Sequence, residues 1–82
     1  MRKNEEGVVT AAVIGAAIRE NRQAAGLSQK QLAAKAGVSH AAVSYWENGV
    51  NVPNVADCWR VADALGLTVD ELIGRSYDAP RS

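Results

Sequence analysis

An all-α fold of five short helices, the second and third forming a helix-turn-helix, is predicted by three features of this 82-residue chain. The stretch from Ser28 to Gly49, SQKQLAAKAGVSHAAVSYWENG, reads as two helices joined at a glycine. The segments on either side open at capping residues and repeat apolar positions three and four apart, two of them stopping at a glycine. Alanine supplies much of the 48% hydrophobic content and Phe is absent, which suits helices packed closely on small side chains rather than around a large aromatic centre.

Residues 1–9 begin with the polar run MRKNEEG and are expected to form a flexible N-terminal arm, with Val8 and Val9 free to pack on a neighbour or a second subunit. The basic start followed by VVTAAVIGAAI has the outline of a secretory signal. That reading fails because Glu5 and Glu6 interrupt the basic region and Arg19, Glu20, Asn21 and Arg22 follow without a cleavage site. The run is also too short to span a bilayer, so no membrane association is expected. It fits a first helix instead, capped by Thr10, carrying Ile14, Ile18 and Ala25 on its inward face and ending at Gly26.

Ser28 and Gln31 form a capping box that opens the second helix. Leu32 and Ala36 stand four apart on its inward side, and Ala33 is small where two helices approach. Gly37 ends it, since glycine reaches the left-handed angles of a sharp turn without a side-chain penalty, and Val38 is buried on the way out. Ser39 caps the third helix, in which Val43 and Trp46 face inward.

A loop follows from Val50 to Pro53, where proline forbids regular structure. Asn54 caps a fourth helix whose inward stripe is Val55, Cys58, Val61, Ala62 and Leu65, ending at Gly66. Trp59 falls beside that stripe and is assigned to the core edge rather than to an interface, because tryptophans mostly serve to bury area. Thr68 and Glu71 form a second capping box, which opens a short fifth helix carrying Val69, Leu72 and Ile73. Residues 74–82 are expected to be a loose tail, leaving one domain over 10–73. Cys58 is the single cysteine, so neither a disulfide framework nor a zinc-site spacing exists. It is expected to act as a small buried hydrophobe in a reducing, cytoplasmic setting.

Formal net charge is zero, with the acidic excess in the last third, where Asp57, Asp63, Asp70, Glu71 and Asp78 outnumber Arg60, Arg75 and Arg81. The field is polarised rather than absent.

Three runs in order, LSQKQLAAKAGVS, AAVSYWENG and PNVADCWRVADALGLTVDELI, resemble the lambda-repressor/Cro-like helix-turn-helix regulators of bacteria and their phages. The resemblance covers roughly Val13 to Ile73. It implies a compact lambda-repressor-like fold and a transcriptional regulator, expected to be a repressor, that binds double-stranded DNA as a homodimer on a near-palindromic operator, in the cytoplasm at the nucleoid. The third helix would then enter the major groove with its N-terminal half against base edges.

On that resemblance Ser39, His40, Ala41, Ser44 and Tyr45 read bases. His40 would donate to or accept from a purine edge, Ala41 would meet a thymine methyl, Ser44 could take either role and Tyr45 would offer its hydroxyl to base or phosphate. Ser28, Gln29, Arg22, Asn48 and Asn51 are expected at phosphates, Gln29 helped by the unpaired N–H groups of its helix terminus. Family members often pair an arginine at position 22 with the glutamate of the WENG run, here Glu47, and the guanidinium is expected to face phosphate as well. A solvated Arg22 is the alternative. Val69, Leu72 and Ile73 lie where resembling proteins commonly dimerise.

Two departures stand out: the reading helix carries no Arg or Lys for a fork to guanine, and the loop after Gly49 carries no basic residue. The neutral loop and the acidic last third favour an alternative in which the same fold binds chiefly a protein partner, such as a toxin, with DNA contact secondary. An enzyme is not expected, because His40 is the only histidine and no phosphate-binding glycine loop or carboxylate pair occurs. No cofactor or metal is expected either.

Overall fold

In the computed structural model, which describes residues 10–74, the chain forms α1 (Ala11–Ala24), α2 (Gln29–Ala36), α3 (His40–Glu47), α4 (Val55–Ala64) and α5 (Val69–Gly74), with no strand among the described residues. The all-α, five-helix prediction is met. The expected arm over 1–9, including Val8 and Val9, and residues 75–82 of the expected tail lie outside the described residues, while Gly74, assigned to that tail, is the last residue of α5.

Each predicted helix start is a formed cap. Thr10 Oγ1 accepts from the Val13 amide at 3.2 Å, and Ser39 Oγ accepts from the Ala42 amide at 3.0 Å. Ser28 and Gln31 exchange both capping-box bonds, as do Thr68 and Glu71. Gly37 carries the turn between α2 and α3 at φ 75°. Asn54 Oδ1 accepts from the Asp57 amide at 2.7 Å. Asn54→Ala is therefore expected to cost about 1 kcal/mol, read as a lower urea midpoint with an unchanged slope.

The interior is built on Ile18, Leu32, Val43, Val61 and Leu72, all fully buried, with Trp46 beside them. Helix α1 packs on α3 and α5, α2 packs on α3 and α4, and α4 packs on α5. The small residues set the spacing: Gly15, Ala17, Ala33, Ala36 and Ala62 are all buried. Gly15 lies so close to the end of α3 that a Cβ on it would sit 2.2 Å from the Trp46 carbonyl oxygen. None of the helices among the described residues is long and apolar enough to cross a membrane.

Four expected placements are corrected. Val55 is 87% exposed, because it occupies the first turn of α4, whose covered stripe starts only at Cys58. Trp59 is 67% exposed and borders an open groove with Ala62, Leu67 and Val69. It is not core edge, since Cys58, Val61 and Ala62 already fill the interior beneath α4. Ala25 is exposed as the C-cap of α1, whose inward face is instead completed by the buried amide of Asn21 donating to the Ala17 carbonyl at 2.8 Å. Leu72, expected at a dimer interface, is enclosed in the chain's own core.

Candidate nucleic-acid interface

The site is anchored by Glu47, the last residue of α3, whose side chain is fully buried. Arg22 on α1 grips it with two bonds, Nε to Oε2 at 2.6 Å and Nη2 to Oε1 at 2.9 Å. Arg19, one turn earlier on α1, donates from Nε to Oε1 at 3.3 Å and from Nη2 to the Glu47 carbonyl at 3.4 Å. Gln29, the first residue of α2, donates from Nε2 to Oε1 at 3.0 Å. Burial alone would raise the carboxyl of Glu47, but the hydrogen bonds from Arg22, Gln29 and Arg19, with the Arg22 charge, outweigh it and hold the carboxyl below its usual value. The same bond to Glu47 makes the Arg22 guanidinium harder to deprotonate.

Arg22 is thus paired as expected, but its further role at phosphate is not supported. Its side chain is only 11% exposed, and Nη1 is taken by the Leu27 carbonyl at 2.8 Å. Its place is inside the fold, tying α1 to α3 and to the turn before α2. Gln29 is likewise held inward by Glu47, while its Oε1 reaches His40 Nε2 at 3.3 Å. That contact brings the N-termini of α2 and α3 side by side, each with first-turn amides that have no partner within the helix.

The structure brings three of the five expected base-reading residues, Ser39, Ala41 and Tyr45, to one depression and sets His40 beside it against Gln29. Ser39, His40, Ala41 and Tyr45 are exposed, and Ser39, Ala41, Tyr45 and Asn51 border the same open depression beside α3. Ser44 is half-buried, and its carbonyl accepts from Asn48 Nδ2 at 2.9 Å. Asn48 therefore closes the end of α3, and Ser28 spends its backbone N–H and one hydroxyl lone pair in the capping box, which leaves its O–H as the donor available to a phosphate oxygen. The depression also holds Asp57, whose charge is paired with Arg60 at 2.8 Å. Lys30 and Lys35 are exposed on α2. The surface offers hydroxyls, an imidazole, a methyl and neutral amides, suited to base edges and phosphate oxygens rather than to covalent chemistry. Cys58 is buried, and burial pushes its thiol pKa up, away from reactivity. Of the expected dimer residues, Val69 and Ile73 are half-buried and so partly accessible.

Sequence reasoning missed Arg19 and the Gln29 to Glu47 bond. Arg19 and Arg22 are three apart on α1 and so share a face, which was the available signal for two cations on one carboxylate. Nothing local links Gln29 to a residue 18 positions away.

Comparison with known proteins agrees with this architecture. A family model described as helix-turn-helix matches residues 18–72. The cryptic phage CTXphi transcriptional repressor RstR of Vibrio cholerae serotype O1 is 33% identical over 58 residues, covering 71% of this chain and 52% of that protein. The chain thus spans about half the length of this relative. With five helices in place, capped at both ends of a glycine turn and matched over most of the described residues, the chain belongs to the lambda-repressor/Cro-like helix-turn-helix family of DNA-binding transcriptional regulators.

Proposed function

We propose that the chain is a repressor that binds a near-palindromic operator as a homodimer, with the domain over 10–73 making the contacts. The observation that carries this reading is the junction of α2 and α3 at Gln29 and His40, held by the buried Glu47 cluster. It presents two helix N-termini and the exposed Ser39, His40, Ala41 and Tyr45 on one side. Seated in the major groove, α3 would place those residues at base edges while the amides of α2 meet the phosphate backbone. Asn51 would supply a neutral phosphate contact.

One such helix covers few base pairs, so specificity calls for two copies about 34 Å apart. Val69 and Ile73 supply accessible apolar surface for that pairing. Duplexes selected from a random pool by the purified protein should converge on a near-palindrome, with affinity falling steeply as salt rises. Failure to enrich any sequence, with the protein folded, would refute the reading. His40→Ala should weaken operator binding about five- to tenfold and alter preference at one base pair, with the melting temperature unchanged because His40 is exposed. A loss of folding in that variant would displace the reading face.

The exposed Trp59 favours a second reading, in which the domain binds a protein partner such as a toxin and touches DNA secondarily. Binding insensitive to salt and sequence, together with a stable complex formed through Trp59, would support it.

A further inference from the structure

We infer that Gln29 is a positioning residue that fixes the tautomer of His40, leaving it a hydrogen-bond acceptor toward the groove and matching it to an exocyclic amino group, adenine N6 or cytosine N4. The choice of base rests on the operator-binding reading above. The tautomer does not.

The chain of constraint starts at Glu47. Its carboxylate, held ionised by Arg19 and Arg22, only accepts hydrogen bonds. Of the two ends of the Gln29 amide, only the NH2 group can face it, and Nε2 lies 3.0 Å from Oε1. The amide oxygen is thereby turned the other way, where it stands 3.3 Å from His40 Nε2. That oxygen has no hydrogen to give, so a neutral ring can engage it only by carrying its hydrogen on Nε2. Nδ1 is then the bare nitrogen, with a lone pair and no hydrogen. In the major groove adenine and cytosine each present an amino donor, whereas guanine presents only acceptors. A buried carboxylate far from the bases would in this way set which base a surface histidine selects.

The test uses the full chain and two variants, Gln29→Ala and Gln29→Lys, each first shown to fold by its melting curve. Long-range proton–nitrogen correlation spectra, recorded about two pH units above the ordinary imidazole pKa, report which ring nitrogen carries the hydrogen. The Nε2–H form should dominate in the unmodified chain. Gln29→Ala should admit the Nδ1–H form, and Gln29→Lys should favour it, because an ammonium only donates. Identical tautomer populations in the three proteins would overturn the proposal. In operator binding, the unmodified chain should prefer an amino-bearing base at the His40-dependent position by about five- to tenfold, and replacing that adenine by purine, or that cytosine by pyrimidin-2-one, should erase the preference. Gln29→Ala should reduce the preference to below about twofold. A His40-dependent preference for guanine would overturn the assignment of the base. A protein that shows the tautomer response but binds no duplex would refute the operator reading and its base assignment while leaving the Gln29 lock standing.

Discussion

Glu47→Ala is expected to remove about 3 to 5 kcal/mol of folding stability, the cost of leaving a buried charge without its partner. Arg22 is the reason. Its side chain is almost enclosed, and two of its hydrogen bonds end on the carboxylate that the substitution deletes. Only the bond to the Leu27 carbonyl would remain. A domain of this length holds only about 4 to 12 kcal/mol in total, so the substitution should remove at least about a quarter of it and, at the lower end of that range, leave the domain partly unfolded at room temperature. Urea unfolding followed by tryptophan fluorescence reads the effect, best in a Trp59→Phe background, because Trp46 is buried in the core whereas Trp59 is exposed. A midpoint within experimental error of the unsubstituted chain would mean that the cluster is an ornament of the surface rather than a support of the fold.

The same carboxylate sets an acid limit. Its folded-state pKa lies below the ordinary value of 4.5, so the stabilisation it provides is complete above that value and declines as pH falls through the lower, folded-state value. Stability should therefore drop on acidification below about pH 4.5, with proton uptake on unfolding. Glu47→Gln, which has no proton to gain, should be less stable at neutral pH and should show a shallower decline in that window. Parallel curves for the two proteins would assign the acid sensitivity to other carboxylates.

How far the sequence foretold this site depends on the range of each interaction. Caps were legible because the two partners lie within three positions, as with Ser28 and Gln31 or Thr68 and Glu71. The exposed side of α3 was legible because Val43 and Trp46 fix the opposite side. Periodicity, however, gives a direction and not an extent. It placed Val55 on the inward side of α4 without revealing that the packing begins only at Cys58. It could not distinguish burial of Leu72 in its own core from burial against a second copy. The pairing of Arg22 with Glu47 came from resemblance, and the further bonds of Glu47 to Arg19 and Gln29 required the crossing of three helices to be known.

Gly15→Ala should be the most damaging glycine-to-alanine change among the described residues, although a helix by itself would gain about 1 kcal/mol from the substitution. The intrinsic preference is outweighed by space. The added Cβ would lie 2.2 Å from the Trp46 carbonyl oxygen, 3.1 Å from the Glu47 carbonyl oxygen and 3.2 Å from the Glu47 carbonyl carbon. All three are backbone atoms, which no side-chain rotation can move aside, so α1 must lift from the end of α3. Overpacking of this kind costs about 1 to 3 kcal/mol and sometimes more, and here the upper end applies because the displaced helix carries both Arg19 and Arg22. Lifting α1 lengthens their bonds to Glu47 at the same time. The two substitutions should therefore be less than additive, since each weakens the same α1 to α3 junction. Measured in a double-mutant cycle, using Glu47→Gln so that every protein remains measurable, the coupling between Gly15→Ala and Glu47→Gln should reach at least about 0.5 kcal/mol. Simple additivity would show that the close helix approach and the buried charge cluster are independent supports. A single Gly15→Ala variant as stable as the original would show that α1 and α3 have room to separate.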